Sequence, residues 1–213
     1  MNDHFAVERA AILRAALPHA PFDGWSDRLL QRAVKQSGVD PGVALLAFPD
    51  GPMDLLGYFW AQTDAGLSLA MAGGKLHNSH LSGRIAEALR LYIELLAPHR
   101  EAVRRAVALQ ALPHNAPFAA ACLYRTVDAI WRAVGDSSTD FNFYSKRATL
   151  AAVLAATVLY WLGDSGAHDI NGFIDRRIGD ILRFEKVKAR AGSFAQDLPS
   201  PVRILGRLSG HAG

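Results

Sequence analysis

Almost every segment of this 213-residue chain repeats its apolar residues with the spacing of an α-helix, and proline or glycine interrupts the pattern at short intervals. Alternating apolar and polar runs bounded by turn residues, which mark strands, are nearly absent. We therefore predict an all-helical protein of about nine helices with short connections. The predicted helices are 3–17, a second capped by Ser26 and ended at Gly38, a short third opened by Asp40 and Pro41, then 51–70, 75–96, 99–112, 116–134, 142–162 and 169–190.

Composition and charge exclude several classes of protein. Half of the residues are hydrophobic and 20% are charged, as in globular proteins, and a net charge of +3 is too small to indicate nucleic-acid binding. The single cysteine, Cys122, fits a reducing compartment. The N-terminus shows no signal sequence, and the longest apolar run, 148–162, is shorter than a membrane span. These features predict a soluble, cytoplasmic, bacterial protein.

Catalytic and metal-binding motifs are missing from the sequence. There is no glycine-rich phosphate loop, no G-x-S-x-G and no E-x-x-H pair. His77 and His80 are spaced to share a metal, but no acid or cysteine nearby completes the three or four ligands that zinc requires. We expect no catalytic residue, no metal site and no cofactor, and we read Cys122 as a small core residue.

Three long helices, 75–96, 116–134 and 142–162, carry broad apolar surface and many alanines. Small side chains either let helices approach closely or leave room between them for an apolar ligand, and periodicity does not separate the two. If there is a ligand pocket, its candidate lining residues are Leu89, Ile93, Leu96, Leu123, Val127, Leu150, Leu154 and Val158.

The C-terminal tail, from about residue 193, differs from the rest. Its apolar residues fall on one half of a helical wheel and its arginines on the other, which suits a short amphipathic helix at a membrane surface. A helix docked on the protein itself, or a frayed terminus, would show the same pattern. The candidate membrane-binding residues are Val202, Arg203, Ile204, Leu205, Arg207 and Leu208.

The N-terminal segment "LLQRAVKQSGVDPGVALLAF", followed by "FPDGPMDLL", resembles the helix-turn-helix region of TetR-type regulators. The stretch in the position of the recognition helix, "DPGVALLAF", has no basic residue. Residues 21–60 contain three basic and five acidic residues, hence a net charge of −2. Since DNA affinity depends largely on neutralising phosphates, the shape is expected without the DNA binding.

Four segments carry a more specific resemblance: "LPHAPFDGWS", "LQALPHNAP", "DAIWRAVGDSSTDFNFYSKRATLAAV" and "FIDRRIGDILRFEKVK". They resemble the accessory lipid-binding family of ubiquinone biosynthesis, the ninth-numbered protein of the coenzyme Q series, over about residues 16–190. The resemblance implies a TetR-like homodimer whose last two long helices form the dimer interface. It also implies a buried pocket for an isoprenoid or quinone lipid and no catalytic activity.

The resemblance implies partners as well: demethoxyubiquinone hydroxylase and the membrane surface, which the C-terminal amphipathic helix would contact. Tyr144 and Arg147 match the family's partner-binding pattern, Ile130 stands at an apolar position of it, and Phe143 replaces a tryptophan of mitochondrial members. Exposed aromatic residues beside an arginine are typical of binding hot spots. We therefore expect a partner-binding surface at Ile130, Phe143, Tyr144 and Arg147.

Three hypotheses follow for the function. The leading one is a lipid-binding accessory protein that presents the demethoxyubiquinone precursor to its hydroxylase at the inner membrane of a bacterium. The alternatives are a TetR-type transcriptional regulator with a hydrophobic effector, and a structural dimeric adaptor with a filled core. The expected organisation is a helix-turn-helix-like region at 1–70, a lipid-binding and dimerisation domain at 75–190, and a tail at 193–213.

Overall fold

The computed structural model describes residues 4–73, 80–135, 142–163 and 169–180, with the backbone alone at 142–145. Every regular element in these ranges is helical, which confirms the all-α class. A helical segment at 170–180 follows the last named helix. The α-helices are α1 (Ala6–Ala16), α2 (Ala20–Asp23), α3 (Asp27–Ser37), α4 (Pro41–Ala47), α5 (Pro52–Ala72), α6 (Leu81–Leu96), α7 (Arg100–Gln110), α8 (Ala116–Ala133) and α9 (Asn142–Gly163).

The chain divides by its internal contacts into two units, Met1–Ile174 and Asp175–Gly213. The first unit contains α1 to α9, and residues 175–180 are the described part of the second. The division into 1–70, 75–190 and 193–213 stays a prediction.

The predicted start and stop signals of the N-terminal helices are confirmed. The hydroxyl of Ser26 accepts a hydrogen bond from the backbone N–H of Leu29 at 3.3 Å, which begins α3. Gly38 ends this helix with φ of 72°, a left-handed conformation that favours glycine. The carboxylate of Asp40 accepts from the N–H of Gly42 at 2.8 Å and so caps α4. These local signals fix where α3 and α4 begin.

The short helix α2 was not predicted, because its sequence, APFD, contains a proline and is only four residues long. It lies where the N-terminal helices meet α7. The indole Nε1 of Trp25 donates to the carbonyl of Ala102 at 2.9 Å, and Arg105 donates to the carbonyl of Pro21 at 3.1 Å. These two bonds join α2 and the turn that follows it to α7.

Helices α5 to α9 form the part of the fold that contains the candidate site. Helix α5 packs against α6 and α8, and α9 packs against α8 and α6. The last carbonyls of α9 are bonded by arginines of α7: Arg100 donates to the carbonyl of Trp161 and Arg104 to that of Leu162, each at 2.7 Å. Cations favour the negative end of a helix, so these bonds fix α9 against α7.

Candidate ligand cavity

A cavity of about 190 Å³ lies between α5, α6, α7, α8 and α9. An engineered cavity of roughly 150 Å³ in another protein binds benzene, so this volume suffices for one substituted ring or a short branched chain. The cavity is lined by Trp60, Tyr92, Val107, Gln110, Ala119, Cys122, Leu123, Thr126, Leu154, Ala155, Val158 and Leu159.

Small side chains leave this room between the helices. Ala119 and Cys122 stand on α8, and Ala155 stands on α9, at places in the wall where larger residues would fill the space. The cavity has a deep end and a rim. Tyr92 is 2% exposed at the deep end, whereas Leu159 is 57% exposed at the rim. A long apolar ligand could therefore enter with one end and leave the other near the surface.

Three of the eight predicted lipid-binding residues line the cavity: Leu123, Leu154 and Val158. The other five are buried but are not among its lining residues, so their role in lipid binding stays a prediction. Residues at i, i+3 and i+4 mark the inward side of a helix without showing whether that side meets a neighbour or a void. These five residues are Leu89, Ile93, Leu96, Val127 and Leu150.

A buried carboxylate lies behind the cavity wall. Asp64 of α5 is 5% exposed, and its two oxygens accept hydrogen bonds from Arg125 Nε at 2.8 Å and from Thr126 Oγ1 at 2.7 Å. Burial raises the pKa of Asp64, while the hydrogen bonds from Arg125 and Thr126 lower it. The hydroxyl of Tyr92 lies 3.5 Å from Thr126 Oγ1, so a polar chain leads from Arg125 to the cavity.

The sequence did not identify these polar residues as part of a site. Trp60, Tyr92 and Thr126 come from three helices, and no spacing along the chain relates them. The one available signal was Asp64, an acid within the apolar stretch "YFWAQTDAGLSLAM" of α5. A buried acid needs partners, so its presence there indicates a polar cluster without saying which residues complete it.

Two of the four residues of the predicted partner-binding surface are buried. Ile130 is 0% exposed and Arg147 is 5% exposed, so neither side chain is accessible to a partner on the chain as folded. Arg147 instead bonds Asp128, from Nε at 3.1 Å and from Nη2 at 2.8 Å, which joins α9 to α8. Asp128 is thus the partner of this buried arginine. The side chains of Phe143 and Tyr144, in the first turn of α9, lie outside the described residues.

The six predicted membrane-binding residues, Val202, Arg203, Ile204, Leu205, Arg207 and Leu208, also lie outside the described residues, as does His77. In the ranges that are described, no three or more histidine, cysteine or acidic side chains come together as a metal site would require. Over the same ranges, no helix has the length and apolar character needed to cross a bilayer.

The chain is similar to known proteins of ubiquinone biosynthesis. The COQ9 family matches residues 116–185, from α8 onward. The ubiquinone biosynthesis protein COQ9, mitochondrial, of Homo sapiens is 28% identical over 93% of this chain and 66% of its own length. The Rattus norvegicus protein is 29% identical over 93% and 68%, and the Drosophila melanogaster protein is 34% identical over 73% and 49%. The chain thus spans about two thirds of the mammalian relatives and about half of the fly relative.

A TetR transcriptional regulator of Nitrosomonas europaea has a similar solved structure, with a TM-score of 0.65 over 81% of this chain and 97% of the regulator. At 18% identity this likeness shows the fold alone, and it confirms the predicted TetR-like architecture. The mammalian relatives match 93% of this chain, the family match covers α8 and α9, which line the cavity, and the fold agrees with the resemblance in the sequence: the chain is similar to the COQ9 family.

Proposed function

We propose that this chain is a lipid-binding accessory protein of ubiquinone biosynthesis, without catalytic activity of its own. It holds an isoprenoid or quinone lipid in the cavity that helices α5 to α9 line. It presents the demethoxyubiquinone precursor to its hydroxylase at a membrane surface. The observation that carries the proposal is the apolar cavity of about 190 Å³. The relatives are named ubiquinone biosynthesis proteins, and we propose this pathway on that ground.

The size of the cavity restricts how such a lipid is held. Pockets that enclose a drug-sized ligand have volumes of about 300–1,000 Å³, so this one accepts a ring or a short piece of chain. The remainder of a polyprenyl chain must then run out past the rim. Leu123 is half-buried there and Leu159 is exposed, which provides an apolar path for it.

We expect lipid to copurify with the protein. Native mass spectrometry of protein isolated without detergent, followed by solvent extraction, should find an isoprenoid or quinone lipid bound to the chain. A pull-down from the same cells should recover the hydroxylase. Protein stripped of lipid should rebind a short-chain ubiquinone analogue. A lipid-free preparation that also fails to bind the analogue would contradict the proposal.

The membrane contact is proposed for the tail, residues 193–213. Four apolar residues and two arginines with helical amphipathicity suit binding to an anionic surface. Truncation after Gly192 should lower cosedimentation with liposomes, and the loss should be larger for vesicles containing anionic lipid than for neutral vesicles. Equal cosedimentation of the full and truncated chains would refute the anchor.

The TetR-like fold raises DNA binding as a rival function. The helix in the position of a recognition helix, α4, exposes Leu45 by 72% and Leu46 by 65%, and it has no basic residue. A DNA-reading helix presents side chains that donate hydrogen bonds to bases and phosphates. This surface is apolar instead, which favours the lipid-binding proposal. Salt-sensitive binding to duplex DNA in a gel-shift experiment would contradict this preference.

A further inference from the structure

An exposed apolar cluster lies where α1 and α2 meet the start of α7. Phe22 of α2 is 82% exposed. It shares a surface groove with five smaller apolar residues, of which both the alanine and two of the prolines are exposed or half-buried: Leu17, Pro18, Pro21, Ala97 and Pro98. Single apolar residues are normal on a protein surface, whereas a contiguous group is typical of a contact with another molecule or with a membrane.

Arginines surround this cluster. Arg14 of α1 and Arg100 of α7 line the same groove, and Arg104 and Arg105 are exposed further along α7. Of the described residues that line the groove, one is acidic, Glu101, and it forms an ion pair with Arg104 at 3.2 Å. Four arginines and one glutamate give this surface a positive charge. We call Phe22, its five apolar neighbours and the four arginines the α2–α7 face.

Two other titratable groups lie close to Phe22 and do not make this face negative. Asp23 is the next residue, but its side chain is 6% exposed and is paired with Arg28 at 3.4 Å and with Arg32 at 2.8 Å. His99 lines the groove, and burial lowers its pKa, so its imidazole is uncharged at neutral pH. The α2–α7 face therefore combines an exposed aromatic ring with positive charge.

The α2–α7 face also lies beside the end of α9 that carries the cavity rim. Arg104 and Arg105 are consecutive, so their side chains leave α7 in directions about 100° apart. Arg104 donates to the carbonyl of Leu162 on α9 at 2.7 Å, and Arg105 donates to that of Pro21 on α2 at 3.1 Å. Leu159, at the cavity rim, precedes Leu162 by about one helical turn. The exposed side of α7 thus lies between α2 and the rim.

We propose that the α2–α7 face is a second membrane contact, in which the ring of Phe22 enters the surface of an anionic bilayer and the arginines bind lipid headgroups. The inference rests on the proposed lipid binding and adds a contact, outside the tail, that brings the cavity rim to the bilayer. The ring gains from burial of apolar surface, and the arginines gain from the negative potential of the bilayer. The position beside the rim favours a membrane over a protein partner, since the lipid must pass between bilayer and cavity.

The test measures cosedimentation of the full chain with vesicles of phosphatidylglycerol and phosphatidylcholine, and with vesicles of phosphatidylcholine alone. Burial of a phenylalanine ring corresponds to about a tenfold or larger change in a partition coefficient, so Phe22→Ser should weaken binding to the anionic vesicles by about tenfold. One arginine near an anionic surface corresponds to about a fivefold change, so Arg14→Glu should weaken binding by at least about that factor. Both side chains are exposed, so the thermal midpoint should stay unchanged.

Matched controls lie on α3 and α4, outside the α2–α7 face. Leu45 is 72% exposed on α4 and Lys35 is exposed on α3, and both line a groove that also contains Asp40 and Asp50. Leu45→Ser removes an apolar side chain of comparable exposure, and Lys35→Glu changes the net charge as Arg14→Glu does. Because anionic lipid repels an acidic surface, each control should change binding to the anionic vesicles less than about twofold.

The outcomes distinguish this inference from the proposed function. If Phe22→Ser binds the anionic vesicles as strongly as the wild-type chain, the second contact is wrong, while the tail contact and the lipid cavity stand. If that variant instead lowers recovery of the hydroxylase in a pull-down, the face binds a protein and the inference is equally wrong. Equal binding of the wild-type chain to anionic and neutral vesicles would contradict the role of the arginines. If the wild-type chain binds neither kind of vesicle, this inference and the proposed membrane contact both fail.

Discussion

Arg147→Glu is expected to lower the free energy of unfolding by about 3–5 kcal/mol, which is the usual cost of leaving a buried charge without its partner. Arg147 is 5% exposed, and its guanidinium bonds Asp128 with two nitrogens. The substitution brings a second carboxylate to Asp128 in the interior between α8 and α9. For a chain of this size the thermal midpoint should fall by roughly 10 °C in calorimetry.

Asp128 offers a matched control, because it pairs with a second arginine. Arg132, one turn along α8, also forms an ion pair with Asp128, but its side chain is 77% exposed. Exposed pairs contribute about 0–1 kcal/mol, so Arg132→Glu should cost no more than that. The double variant Asp128→Asn, Arg147→Met removes both charges and should recover part of the loss seen for Arg147→Met alone. Equal effects of Arg132→Glu and Arg147→Glu would contradict the burial of this pair.

Ala155→Phe should reduce the lipid that copurifies with the protein by about tenfold or more, because the added ring occupies a cavity of about 190 Å³. Ala155 lines the cavity from α9. Overpacking costs about 1–3 kcal/mol where the core is full, but here the ring enters existing space, so stability should change by less. Lipid per protein is measured by solvent extraction and mass spectrometry.

The control stands on the same helix. Ala152 is exposed on α9 and does not line the cavity, so Ala152→Phe adds the same ring without occupying the cavity and should retain lipid. Ala119→Phe fills the cavity from α8 and should repeat the effect of Ala155→Phe. Full lipid content in both cavity variants, with their folding intact, would show that the lipid is bound elsewhere.

Much of the fold could be predicted because its signals are local. Ser26, Gly38 and Asp40 act on backbone groups within three residues of themselves, so their roles follow from residue type and position. The four-residue helix α2 was missed because a proline-containing segment of that length reads as a loop. It lies against α7, where Arg105 donates to Pro21 of α2 and where Trp25, just after α2, donates to Ala102, at separations of 84 and 77 residues in the chain.

The candidate site could be predicted only in part. Leu123, Leu154 and Val158 were identified because they lie on apolar faces, but the same reasoning also selected Leu89 and Leu96, which pack in the core. Periodicity gives the direction of a side chain relative to its own helix. It does not give the distance to the next helix, and that distance decides between contact and cavity.

The sequence alone determined the helical class, the caps and ends of the N-terminal helices, and the resemblance to the COQ9 family, because each depends on residues close together in the chain or on a motif read as written. Only the tertiary structure decided that Trp60 and Tyr92 share a cavity, and that Arg147 is a buried partner of Asp128 and not part of a surface. In a sequence, an arginine beside aromatic residues looks the same whether its side chain is buried or exposed. Its burial depends on an acid 19 residues away, brought within hydrogen-bonding distance by the packing of α8 against α9.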